Sequence, residues 1–255
     1  MPVTSTIRTL AAIAVALAAC RSGFDLKRFT QDTALYQASL RELQRSNWDN
    51  AVAGFERLTI ELPARDTLMP LSLYHLGKAR QGKREWLLAA QAFTRVTESF
   101  PDDTLADDAL FEAGVSYGRL WRKPELDAQY GETAISTLQM LQGMYPNSPL
   151  NEKAKQEIDR LTNWLGTKTY QTGIFYLRRK AYDPAIIYFK DVLRLYPTAP
   201  IARDAALKLV EAYKEIHYRE EAAEQCASLR QTYPGSSEVR DVCGDPPATA
   251  QTPPR

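Results

Sequence analysis

His75 and His217 are the only histidines in 255 residues, and Cys20, Cys226 and Cys243 are the only cysteines. No HExxH or comparable imidazole pairing exists, so a histidine-built metal site is not expected. Phosphate chemistry finds no cradle either. Gly166-Thr167-Lys168 lacks the glycines that precede a Walker lysine, and neither GxGxxG nor GxSxG occurs. The 31 acidic residues scatter along helix faces as solvated charge. No enzyme, cofactor or metal is expected. What the side chains offer is contact. Tyr36, Tyr74, Phe111, Tyr170 and Leu207 occupy one recurring register, with Lys78 and Arg119 on the same helix faces. Aromatic rings with polar tips give contact area at low entropy cost, and the two cations can answer a carboxylate. The ligand this set predicts is an extended peptide with an aromatic C-terminus, held by Tyr36, Tyr74, Lys78, Phe111, Arg119 and Tyr170. The competing reading leaves the rings merely stacked against the neighbouring repeat.

That register belongs to a repeat. An Ala is followed by an apolar residue four positions on and a Pro twelve on, at Ala51/Phe55/Pro63, Ala89/Phe93/Pro101, Ala134/Leu138/Pro146, Ala185/Phe189/Pro197 and Ala222/Cys226/Pro234. Upstream lie Gly77, Gly114 and Gly173, replaced in the outer copies by Ser39 and Val210. A small residue facing an Ala lets two helices approach, the Phe-type residue fills the seam, and the Pro ends the second helix. The spacing resembles the tetratricopeptide repeat, a helix-turn-helix unit of about 34 residues. The predicted fold is therefore all-α, a tetratricopeptide-repeat α-solenoid of five helix-turn-helix repeats. Repeats one to three are expected over 32–148, and a linking helix with repeats four and five over 149–234.

Local signals add detail. Ser46, Asn47 and Asp49 are all able to cap the second helix of repeat one, Ser148-Pro149 to start the linking helix, and Asp183-Pro184 to cap the second helix of repeat four. Ala134 arrives eight residues late, so residues 121–129, with Pro124, read as an inserted polar loop. Ala154, Ile158, Leu161 and Leu165 form an apolar stripe that either continues as one long helix or breaks at Gly166. The region 235–255, Pro-rich after Asp245, reads as a disordered tail.

Composition is bland: 44% apolar, 25% charged and a formal net charge of +1, which gives no reason to expect a nucleic-acid partner. The first 19 residues differ. Arg8 is their only charge, and Leu10 to Ala19 is an apolar run of the length of a secretory signal but too short to span a bilayer. It ends in Leu17-Ala18-Ala19-Cys20, which resembles a bacterial lipobox, so cleavage before Cys20 and lipidation of its thiol are expected, with 20–31 as the tether. Cys226 and Cys243 would then meet an oxidising compartment and could close a disulfide. Cys226 also holds the seam position of Phe55, Phe93 and Phe189, so a small buried hydrophobe is an equal alternative.

A lipobox, a brief tether, five repeats and an insertion in the third are together similar to the BamD family, lipoproteins of the β-barrel assembly machinery. So are Leu126-Asp127-Ala128-Gln129, Tyr145-Pro146-Asn147-Ser148, Arg178-Arg179-Lys180-Ala181-Tyr182 and Leu195-Tyr196-Pro197. Cys226, Cys243 and the Pro-rich tail depart from that pattern. The resemblance implies a lipid-anchored scaffold on the periplasmic face of the outer membrane, with a BamA-like barrel protein and other Bam lipoproteins as partners. The N-terminal repeats would engage C-terminal signals of unfolded outer-membrane proteins. The C-terminal repeats would dock on the POTRA region of the barrel subunit, with Tyr188, Arg194 and Arg203 as docking candidates. The alternative is a periplasmic scaffold of the Tol–Pal type, whose N-terminal coiled coil has no heptad counterpart between Cys20 and Asp32.

Overall fold

The structure is a computed structural model and describes residues 24–244. The signal segment, Cys20, the start of the tether and the chain from 245 onward lie outside the described residues. Within them all regular structure is helical, in two compact units, residues 24–105 and 106–244. The third repeat thus groups with the linking helix in the second unit.

The first unit holds two hairpins, α1 (Asp32–Gln44) with α2 (Trp48–Glu61) and α3 (Leu68–Gly82) with α4 (Trp86–Ser99). Their seams follow the repeat. Phe55 and Phe93 are fully buried, as are Ala51 and Ala89. A Cβ added at Gly77 would stand 2.6 Å from the Phe93 ring, so the glycine is what lets that ring lie across the seam. In the first hairpin Gly54 fills this role from the opposite helix, against Ser39. Phe24 also reaches Gly54, and Arg57 donates to the Leu26 carbonyl at 2.6 Å, so the tether is pinned to α2 from residue 24.

The second unit contains α5 (Ala106–Leu120), α6 (Gln129–Met144), α7 (Asn151–Arg178), α8 (Tyr182–Leu195), α9 (Ala202–Glu215), α10 (Arg219–Thr232) and α11 (Ser237–Cys243). The stripe on α7 runs unbroken through Gly166, giving 28 residues or about 42 Å of helix. Its N-terminal half supplies Ala154 and Leu161 to the core of the third hairpin, and its C-terminal half is the first helix of the fourth. At Gly114 an added Cβ would meet Leu138 at 2.6 Å, and at Gly173 it would meet Phe189 at 2.6 Å.

Each hairpin's second helix ends two residues before its Pro, at Glu61, Ser99, Met144, Leu195 and Thr232. The residue preceding a proline is pushed out of helical geometry, which fixes that end. The turns are made differently from expectation. No side-chain cap forms at α2, α7 or α8. Asn47 instead donates its amide to Glu42 at 3.0 Å. Ser148 precedes α7 by three positions and donates to Asp107, and Asp183 falls inside the first turn of α8. Four first helices end in left-handed residues, Ser46, Arg84, Lys180 and His217, with φ of 58–63°. Around each, two backbone bonds close the helix end; at Arg84 these are Arg84 N–H to Gln81 O and Glu85 N–H to Arg80 O. This is a Schellman cap, commonly completed by glycine but here by residues with side chains.

Two sequence expectations change. The insertion is not merely polar loop: Trp121 is 2% exposed, edge-on to Trp164 at 5.4 Å, and lies where a side chain on Gly131 would be. The tail expected from 235 begins instead with α11, because Val239 is buried in the last core and the segment is covalently held.

Candidate functional site

The aromatic register resolves hairpin by hairpin. Tyr36 meets Phe55 edge-on at 5.9 Å, Tyr74 meets Phe93 at 5.5 Å and Tyr170 lies on Phe189 at 5.8 Å. Each ring sits on the seam phenylalanine of its own hairpin. Tyr36 is 7% exposed and belongs to the core, whereas Tyr74, Phe111 and Tyr170 keep part of their surface in solvent. Lys78 stands one turn beyond Tyr74 on α3, and exposed Arg119 two turns beyond Phe111 on α5. Tyr36, Tyr74 and Lys78 are in the first unit; Phe111, Arg119 and Tyr170 are in the second.

His75 occupies an aromatic box of Tyr36, Phe55 and Tyr74, with ring centroids 5.6–5.9 Å away. Its Nδ1 is buried without a hydrogen-bond partner. Burial, and then the charge of Lys78, push its pKa below the ordinary 6.5.

Tyr170 stands at the junction of two lobes of a groove in the second unit. The larger, about 760 Å³, has Phe175 and Arg178 from α7, Arg179 just past its end, and Lys208 from α9. The smaller, about 260 Å³, has Asp204 and Glu211 from α9 and Glu238 and Asp241 from α11, and shares Tyr170 and Lys208. Burial raises the Tyr170 hydroxyl above the usual tyrosine range, Asp204 and Glu211 raise it further, and Arg178 opposes them. Arg179 lies over the Phe175 ring at 3.7 Å, and Lys208 pairs with Glu211 at 2.8 Å. Sequence reasoning found Tyr170 but missed this ring of charge, because it comes from three helices. The legible signals were Arg178-Arg179 at the end of a helical stripe and Lys208 beside Leu207.

The docking candidates do not converge. Tyr188 stacks on Tyr176 at 5.5 Å, and Arg194 is exposed and paired with Asp191. Six residues apart on α8, they point about 120° from each other. Arg203 also holds α11: it donates to Ser236 at 2.8 Å and Glu238 at 2.6 Å and lies over Tyr233. Cys226 and Cys243 are joined by a disulfide, and Cys226 is 4% exposed, so seam filler and cross-link are one residue. Lys214 donates to the Val242 carbonyl, and Arg230 to those of Cys243 and Gly244. Among the described residues no cluster of His, Cys, Asp or Glu is placed to hold a metal, and no helix is long and apolar enough to cross a membrane.

The YfiO family, described as outer membrane lipoprotein, matches residues 29–237, from the pinned tether into α11. The chain belongs to that family. A protein of Caulobacter vibrioides named "Outer membrane protein assembly factor BamD" is 27% identical over 201 residues, covering 79% of this chain and 66% of the relative. A Vibrio cholerae protein of the same name is 26% identical, covering 84% of this chain and 92% of its own length. One from Rickettsia prowazekii is 23% identical, with 92% and 94% covered.

Proposed function

We propose that this chain is a lipid-anchored scaffold subunit that assists assembly of outer-membrane β-barrel proteins. The observation that carries this is the relatives' shared name, joined to a family match that runs through all five hairpins. Anchoring is through Cys20 on the periplasmic face of the outer membrane. The partially exposed Tyr74 and Phe111, with Lys78 and Arg119, are the contacts for C-terminal signals of unfolded substrates, and Tyr36 supports them from the core. The second unit docks on the POTRA region of a BamA-like barrel subunit through Tyr188 or Arg194, which occupy different faces of α8. Arg203, the third candidate, also bonds Ser236 and Glu238 through its guanidinium, so docking through it would act next to α11.

The test is affinity purification of the full-length chain from detergent-solubilised membranes, with mass spectrometry of the mature N-terminus. Co-purification of a large β-barrel protein and a diacylated Cys20 are expected. Recovery of Tol–Pal components without a barrel protein, or an unmodified N-terminus, overturns the reading. For the substrate contacts, Tyr74→Ala and Phe111→Ala are expected to weaken binding of an aromatic-ended peptide in a fluorescence titration; unchanged binding makes the rings structural only.

A further inference from the structure

We infer that the groove around Tyr170 is a second peptide site, selective for an extended segment carrying both an acidic and a basic side chain. The inference rests on the distribution of charge and holds whichever complex the chain joins. On the larger lobe, Arg178 and Arg179 have no carboxylate partner among the described residues; Arg179 is engaged only by the Phe175 ring. The carbonyl end of α7 favours cations there, but a helix terminus leaves their hydrogen-bond donors free for a ligand. On the smaller lobe, Asp204 and Asp241 have no basic partner among the described residues. Lys208–Glu211 and Arg203–Glu238 are paired internally and leave those four groups as the unanswered charges.

The two lobes touch at Tyr170 and Lys208, so one ligand bridging them meets opposite signs in succession. A ligand of a single sign satisfies one lobe and is repelled by the other, whereas a mixed-charge strand satisfies both. Tyr170, shared by both lobes, and Ile174 and Phe175 in the larger lobe offer apolar surface for a hydrophobic residue of the ligand. A further lobe of about 600 Å³, sharing Leu177, Arg178 and Glu211, prolongs the channel toward Lys180 and Lys214, giving room for an extended backbone.

The experiment is fluorescence anisotropy with the full mature chain in detergent and four blocked, fluorescein-labelled nine-residue probes. All have a central phenylalanine; two carry glutamates at one end and lysines at the other, in either order, one carries only glutamates and one only lysines. One mixed-charge order is expected to bind about tenfold more tightly than either single-sign probe at low salt, with the preference shrinking at high salt. Arg178→Glu and, separately, Asp204→Lys are expected to weaken that probe about tenfold, the scale of one lost charge pair. The double variant Arg178→Glu/Asp204→Lys is expected to transfer preference to the opposite order. Both side chains are outside the core, and circular dichroism melts report any loss of fold. The inference is overturned if no probe binds, if single-sign probes bind equally well, or if the single variants leave affinity unchanged.

Discussion

At the scale of single residues, the turns hold conformational cost that the seams do not need. Arg84 and Lys180 sit at φ of 61° and 58°, a region that costs a residue with a Cβ about 1–2 kcal/mol. Glycine escapes that cost but loses more chain entropy on folding. Lys180→Gly or Arg84→Gly is therefore expected to stabilise the protein by about 0.5–1 kcal/mol in urea unfolding, while Gly77→Ala, pressed against Phe93, destabilises. His75 predicts a pH dependence of definite sign. Its box presents Tyr36 from α1, Phe55 from α2 and Tyr74 with Lys78 from its own helix, and no carboxylate is among the causes of its shift. Because its folded pKa lies below 6.5, the unfolded chain takes up the proton first. Its contribution is complete above that value and is lost as pH falls toward the folded pKa. Urea midpoints measured from pH 7.5 to 5 should fall more for the native chain than for His75→Phe; parallel curves would remove His75 as the cause.

Elements are held by anchors that repeat logic does not contain. Trp121 closes the insertion on Gly131 and Trp164, so Trp121→Ala should cost about 3–5 kcal/mol, as truncation of buried aromatics does, read by thermal unfolding. A reading of 121–129 as plain loop predicts almost no change. The disulfide joins residues 17 apart across the α10–α11 turn. Cys226→Ser/Cys243→Ser is expected to lose about 3 kcal/mol in the chain-entropy account. Since α11 carries Glu238 and Asp241, the same variant should weaken the mixed-charge probe, although Val239 and the Arg203 clamp still favour docking of the helix.

For the whole molecule, contacts run chiefly between consecutive helices within each unit, so stability is a sum of local terms. Opening the disulfide should speed amide exchange in α9 to α11 and leave α1 to α4 unchanged; exchange rising through the first unit would show cooperativity that repeat packing does not supply. The amino-acid sequence by itself determined the five hairpins, their seams and their ends. Those depend on residues 16 apart, such as Gly77 and Phe93, and on prolines that act on their own backbone. The expected side-chain caps did not form: Asn47 stands at the N-cap of α2 but turns its amide N–H to Glu42, and Ser148, three positions before α7, donates to Asp107 and accepts from the Leu150 N–H ahead of the helix. Only the tertiary structure decided the burial of Trp121, the packing of α11 and the bonding of Arg203 to Ser236 and Glu238. It alone joined Arg178, Asp204 and Asp241 around Tyr170. The physical reason is range: a hairpin is written in neighbouring turns of chain, whereas a groove is lined by three helices whose charges carry no shared period.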